Sequence, residues 1–496
     1  MQILRKFIRS TRLDSNLISS TLLTRALFAA VLIAVPSSQA LDLQLPEIGS
    51  ANSSDIQFEQ EYELGQAWVR LMRAQADLLD EPIIESYLRD QVWSLVPYSE
   101  LQDKRLELLV IDNSEINAFA APGGIVGING GLLLAAQHEA QLMSVIAHEF
   151  AHLSQRHFAQ QQSAAEKRQP LVLAGIVGSI LLSGISADAG AAMLHGTVGA
   201  TQSLALAYSR QHETDADQTG MRTLANAGYD PQAMPQMFAL LANANRFSSD
   251  NLPEFLRTHP VTQARIADST NRALAYPIAN YKQEDSDRFL IARALTAIYY
   301  QSEEQLILEQ DKSEVSNSYQ GLIRFFKAVQ TGDSEAANQL WQQLASRWNS
   351  HPWVKIVRIE QLSNEKRWDD AGLISEELLA LYPGDYAVRR AAAKLASDSG
   401  DLSRATQIYR DLIRDDPNNT QLWYNLAELY GLQQNLVQLH RARIEFFALR
   451  GEYDLALRQI EFARRDARRN EGQLGYLQQR EGEIKELQKQ MDRLLN

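Results

Sequence analysis

The sequence predicts a mainly α protein in two parts, an α+β domain followed by an all-α solenoid of helical repeats. Three observations carry this. Strand-like and glycine-rich segments are confined to the region before about residue 280. From about Asp285 onward no stretch reads as a strand, and Ala337, Ala371 and Ala405 recur 34 residues apart. The 496 residues, 45% apolar and 22% charged with 14 Pro and 25 Gly, suffice for two or three domains with full cores. The expected organisation is a leader over 1–40, a first domain over 41–280 and a repeat domain over 281–496.

The leader comes first. Arg5, Lys6, Arg9, Arg12 and Arg25 precede an apolar run from Ala26 to Val35, and Ser38-Gln39-Ala40 offers the small residues a signal peptidase reads. The run falls short of the roughly 20 residues that span a bilayer, so export with cleavage after Ala40 is expected. Cleavage removes five basic residues and one acidic, and takes the net charge from −13 to −17. An acidic chain is repelled by nucleic acid and anionic lipid, so no nucleic-acid partner is expected. There is no cysteine, which excludes a disulfide scaffold, a thiol nucleophile and a Cys-ligated metal. Acidic, exported and thiol-free fits a bacterial periplasm, where a lone thiol risks oxidation.

In the first domain, Arg105 to Asp112 (RLELLVID) reads as a buried strand. Asn117 to Leu133 reads as a turn at Pro122-Gly123-Gly124, a short strand at Ile125–Ile128 and a second turn at Asn129-Gly130-Gly131. Gln141 to Gln155 has apolar residues at 142, 145, 146, 150 and 153, a helical period that places His148 on a helix. Leu171 to Ser183 is apolar for thirteen residues and runs into Gly/Ala-rich sequence to Ala200. That is too short to span a membrane and reads as a buried helix or a hinged lid, so any membrane contact is expected to be peripheral.

In the second half, Pro383 and Pro417 each follow a repeat alanine by 12 residues, and Trp423, Leu426, Ala427 and Tyr430 have the spacing of a first repeat helix. A 34-residue period with small residues where helices cross describes the tetratricopeptide repeat. Later units degenerate: position 439 is Leu and the alanine pattern resumes out of phase near Ala456. Glu481 to Leu494 is expected to cap the stack. Stacked helix pairs form a concave face suited to extended peptides or helices.

The sharpest local signal is His148-Glu149-Phe150-Ala151-His152. On a helix, residues four apart share a face about 5–6 Å apart, so both imidazoles can reach one ion. Glu149, rotated about 100° from His148, can reach the open position and take a proton from water there. A third ligand is needed, and His212-Glu213-Thr214-Asp215-Ala216-Asp217 offers it on a polar helix. One acid can bind metal while another holds a ligand His, but composition leaves Glu213, Asp215 and Asp217 open. His157 is rotated off the metal face and reads as structural or exposed. His138, His195, His212, His351 and His440 lack ligand spacing. His259, in Arg257-Thr258-His259-Pro260, sits in a loop restrained by the following proline.

His148–His152 together with Glu213-x-x-x-Asp217 resembles the zinc endopeptidase family that includes HtpX and the CAAX prenyl endopeptidases. The resemblance implies a zincin-like metalloprotease domain with one Zn2+, held by His148, His152 and Glu213, with Glu149 as the base and Asp217 as the partner of a ligand. Asn117-Ala118-Phe119 leading into Pro122-Gly123-Gly124 matches the family's active-site strand. Leader, soluble catalytic domain and trailing repeats are similar to periplasmic members that serve outer-membrane β-barrel assembly. In such members the histidine matching His259 can take the fourth zinc position and hold the enzyme inactive. Implied substrates are unfolded or misassembled outer-membrane proteins, and the implied docking partner is the outer-membrane barrel-assembly machinery. The strand residues Gly124, Ile125, Val126, Gly127 and Ile128 are expected to pair with extended substrate. The rival readings are a non-proteolytic chaperone or adaptor for the same assembly, and a zinc aminopeptidase.

Overall fold

The described residues begin with two helices, α1 (Asn52–Gln75) and α2 (Pro82–Leu95), the second started by Pro82 and by Glu81, whose carboxylate accepts from the Ile83 N–H. The structure is a computed structural model that describes residues 52–160, 210–247, 254–277, 281–282, 285–301, 317–467 and 470–495. The leader over 1–40, the Leu171–Ala200 stretch and His195 lie outside these residues.

A three-stranded sheet follows: β1 (Glu107–Ile111), β2 (Ala118–Ala121) and β3 (Ile125–Asn129), in the order β1-β3-β2. β1 pairs parallel with β3, and β2 folds back antiparallel to it. Gly124 makes that hairpin possible: its φ is +80°, and a Cβ there would lie 2.0 Å from the Arg105 carbonyl. The turn expected after β3 is instead a short helix, α3 (Gly130–Ala135), entered directly from Asn129. α4 (Glu139–Ser154) runs beneath the sheet, its start held by the Gln141 side chain, which accepts from the Gln137 and His138 N–H groups. α5 (Arg210–Asn226), α6 (Ala233–Phe247), α7 (Glu254–Thr258) and α8 (Gln263–Leu274) complete the region around α4.

The remaining described residues are helical: α9 (Asp287–Tyr300), α10 (Asn317–Thr331), α11 (Ser334–Gln343), α12 (Ser346–Asn349), α13 (Pro352–Asn364), α14 (Trp368–Leu381), α15 (Tyr386–Asp398), α16 (Leu402–Asp415), α17 (Thr420–Leu432), α18 (Leu436–Leu449), α19 (Tyr453–Ala467) and α20 (Glu471–Leu495). The chain is thus mainly α with one small sheet. Ala337, Ala371, Ala405 and Ala456 are fully buried, which is why the period demands a small residue there. Asp333 caps α11, and Asp385, Asp401, Asn419 and Asn435 cap the successive helices α15 to α18, all with their side chains. α20 starts ten residues before the expected cap, because Leu477, Ile484 and Met491, seven apart, pack on α19 and on Ala67 of α1.

The change of texture near residue 280 is not a break in packing. Tyr87, Phe150, Phe255, Phe289, Trp348 and Trp353 belong to one continuous core. The repeats also lean on α2 and the residues just before it, through Arg390 to Asp80 at 2.7 Å and Arg89 to Asp416 at 2.8 Å. Among the described residues no helix is long and apolar enough to cross a membrane.

Candidate metal centre

α4 carries His148, Glu149 and His152, all buried. α5 crosses it at Gly220, where a Cβ would lie 3.0 Å from the Ala147 carbonyl oxygen and from the backbone of His148. Any side chain there would press on that backbone, and the close approach brings Glu213, two turns earlier on α5, opposite the histidines. α7 delivers His259 from its C-terminal end, the His259 N–H donating to the Phe255 carbonyl at 2.7 Å. One donor atom from each of His148, His152, Glu213 and His259 lies within 4.8 Å of the others.

The spacings fit one tetrahedral ion. His148 Nε2 lies 3.0 Å from His152 Nε2 and 3.4 Å from His259 Nδ1. Glu213 Oε1 lies 3.0 Å from His259 Nδ1 and 3.5 Å from His152 Nε2. Donors at 2.0–2.1 Å from a shared tetrahedral centre sit about 3.3 Å apart. All four are N or O donors with no cysteine, a set suited to zinc.

The far sides of the His148 and His152 rings are held. His148 Nδ1 lies 3.0 Å from Asp217 Oδ1, and His152 Nδ1 lies 2.8 Å from His157 Nδ1. Such contacts orient a ligating imidazole. His157 is buried, not rotated away, because α4 ends at Ser154 and Arg156 adopts φ 53°, which folds the chain back onto His152. Helical spacing could not show this; the pattern holds only while the helix lasts. His212 stacks on His157 with ring centroids 4.3 Å apart. Of the three acids left open by composition, Glu213 and Asp217 are buried at the cluster, and Asp215 turns outward to Gln211. Arg265 on α8 touches both buried acids, a contact that no sequence spacing announced.

The electrostatics follow from burial and proximity. Burial alone would lower the His148 pKa, but Asp217 and Glu213 raise it to about 10. Burial and the neighbouring His148 and His259 push His152 well below the usual imidazole range. Glu213, despite burial, is held well below the usual carboxylate range by His259 and His148. Burial raises Glu149, the direction a general base near neutral pH requires. Both Glu149 oxygens lack a well-formed hydrogen bond among the described residues, and His259 Nε2 faces one at 3.7 Å.

The expected substrate strand needs correction. Gly124–Ile128 contains most of β3, which lies between β1 and β2 with both edges already paired, so it cannot accept a further strand. The available edge is β2. The Asn129 N–H donates to the Asn117 carbonyl, and in an antiparallel ladder this makes 117, 119 and 121 the residues bonded to β3. The N–H and C=O of Ala118 and Ala120 therefore face away from β3, and no other strand among the described residues pairs there. A cleft opens beside this strand, lined by Ala120, Ala121, Gly123, His152, Leu153 and Phe158.

Comparison with known proteins agrees with this geometry. A model described as peptidase family M48 matches residues 82–273, and a tetratricopeptide-repeat model matches residues 362–429. The chain is 30% identical over 422 residues to the beta-barrel assembly-enhancing protease of Escherichia coli strain K12, covering 83% of this chain and 85% of that protein. The protein of the same name from Yersinia pestis is 30% identical over 370 residues, 74% of this chain and 70% of that protein. The mitochondrial metalloendopeptidase OMA1 of Saccharomyces cerevisiae is 32% identical over 213 residues, 41% of this chain and 56% of that protein.

Proposed function

This chain belongs to the beta-barrel assembly-enhancing protease family of M48 metallopeptidases, and we propose that it is a periplasmic zinc endopeptidase acting on unfolded or misassembled outer-membrane β-barrel proteins. The relatives' name is what brings β-barrel assembly into the proposal. The leader over 1–40 would export the chain, and the repeat domain from 281 onward would dock it on the barrel-assembly machinery.

The observation that carries the reading is the convergence of buried donors from three elements beside a buried, upward-shifted Glu149 and an unpaired strand edge. His148, His152 and Glu213 would hold the zinc, with Asp217 fixing the His148 ring. Bound zinc would lower the pKa of water at its open position to about 7. Substrate would lie extended along β2, its backbone paired with Ala118 and Ala120, which selects unfolded chains. Glu149 would take the proton from the attacking water and return it to the leaving amine. His259, within reach of the same position, would act as the latch that leaves no room for that water.

Replacing Glu149 by Gln tests the chemistry: the variant should keep zinc and lose casein cleavage. Undiminished cleavage would overturn the mechanism. A second reading, a chaperone or adaptor that holds barrels without cutting, is favoured by His259 lying among the ligands at rest. It is separated by the same variant, which should still bind unfolded barrel protein if holding is the task. End-group analysis of products from a long substrate separates internal cleavage from aminopeptidase action.

A further inference from the structure

Among the described residues, Arg265 is the one cation inside the candidate centre apart from the histidines. Its Nε and one Nη donate to the two oxygens of Asp217 at 2.9 and 2.7 Å. The other Nη lies 2.7 Å from Glu213 Oε2 and donates to the Pro260 carbonyl at 2.9 Å. Its side chain is 10% exposed and lies over the Phe238 ring, 4.9 Å from the centroid. Phe238 in turn meets the His148 ring edge-on at 6.3 Å.

We infer that Arg265 is a positioning residue that locks the ligand carboxylate, the carboxylate holding His148, and the loop bearing His259 into one unit. The inference rests on the metal reading above. The two buried carboxylates need a counter-charge, and the guanidinium, which stays charged under all ordinary conditions, supplies it to both at 2.7 Å. Its planar fork also fixes where their oxygens point, which a point charge does not. The Pro260 contact adds the part a simple ion pair lacks. The residue after His259 is tied to the same group that orients Glu213, so latch and ligand are registered against each other.

Cobalt(II) replaces zinc in tetrahedral N/O sites and its visible absorption reports the ligand set, so the experiment uses the full chain loaded with cobalt. Four proteins are compared: wild type, Arg265→Lys, Arg265→Gln and His259→Ala. Cobalt affinity is measured by chelator competition, and melting temperature and circular dichroism are followed for each. Arg265→Lys, which keeps the charge but not the fork, should bind cobalt about 10–100-fold more weakly, the range seen when groups supporting a metal ligand are removed. Its spectrum should move toward that of His259→Ala, because the loop has lost its tether. Arg265→Gln should lose more affinity and show the same spectral shift. Wild-type affinity and spectrum in both Arg265 variants would overturn the assignment while leaving the metal reading intact. Failure of both variants to fold would make Arg265 a structural residue and overturn it equally. A wild-type protein that takes up neither zinc nor cobalt removes the metal reading, and this inference with it.

Discussion

Gly220→Ala tests whether the α4–α5 crossing sets the metal site. An ideal Cβ at Gly220 would sit 3.0 Å from the Ala147 carbonyl oxygen, the His148 Cα and the His148 N, where ordinary contacts begin at 3.4 Å. These are backbone atoms of a packed helix, so the helices themselves must part by about 0.4 Å. Glu213 lies two turns away on the same helix and shares the displacement, whereas metal–ligand bonds tolerate only about ±0.2 Å. Zinc affinity should therefore fall roughly 10–100-fold. For stability, overpacking costs about 1–3 kcal/mol, and replacing a helical glycine by alanine returns about 1 kcal/mol, leaving a loss of up to about 2 kcal/mol. Gly372→Ala on α14 is the control. No described atom lies within 4 Å of its Cβ position, so the propensity gain alone should stabilise it by about 1 kcal/mol. Thermal melts and chelator competition on the two variants decide the matter. If Gly220→Ala melts above wild type, as Gly372→Ala should, and holds zinc as tightly, the crossing does not set the ligand geometry.

Three further outcomes are expected. Ala118→Pro removes an outward N–H from β2 without touching its ladder with β3, so zinc should stay bound while cleavage of unfolded substrate drops at least tenfold; unchanged cleavage would return the substrate to another surface. His259→Ala should keep three protein ligands and its zinc and cleave more readily, itself included; equal or lower activity with zinc retained would leave His259 without a latch role. Glu81 is pushed up to about 7 by burial and by Glu360, with its carboxylate accepting from Tyr299. Its stabilising effect is present below the unfolded value of about 4.3 and lost as pH rises through about 7, so Glu81→Gln should gain on wild type between pH 5 and pH 8, and an equal melting gap at both would refute this.

What the amino-acid order determined by itself is the chemistry that lies within one helix or one repeat. His148, Glu149 and His152 share a turn of α4, Glu213 and Asp217 share a turn of α5, and the alanine period marks where repeat helices cross; each follows from the 3.6-residue geometry of a helix, a local property. Their wider neighbours were set by the tertiary structure. His157 returns to His152 only because the helix stops and Arg156 turns left-handed. The strand with an unpaired edge is β2 and not β3, because β1 arrives from earlier in the chain to cover β3's other edge, a pairing across 18 residues that no period encodes. Arg265 reaches Glu213 and Asp217 from about fifty residues away, since two buried acids need a counter-charge but nothing in their own segment says where it comes from. The core likewise runs past residue 280, because α9 fills the space beside α2 and α3 that the first domain leaves open. Local spacing selects which atoms can act together on one element; the burial of one element against another decides which of them meet.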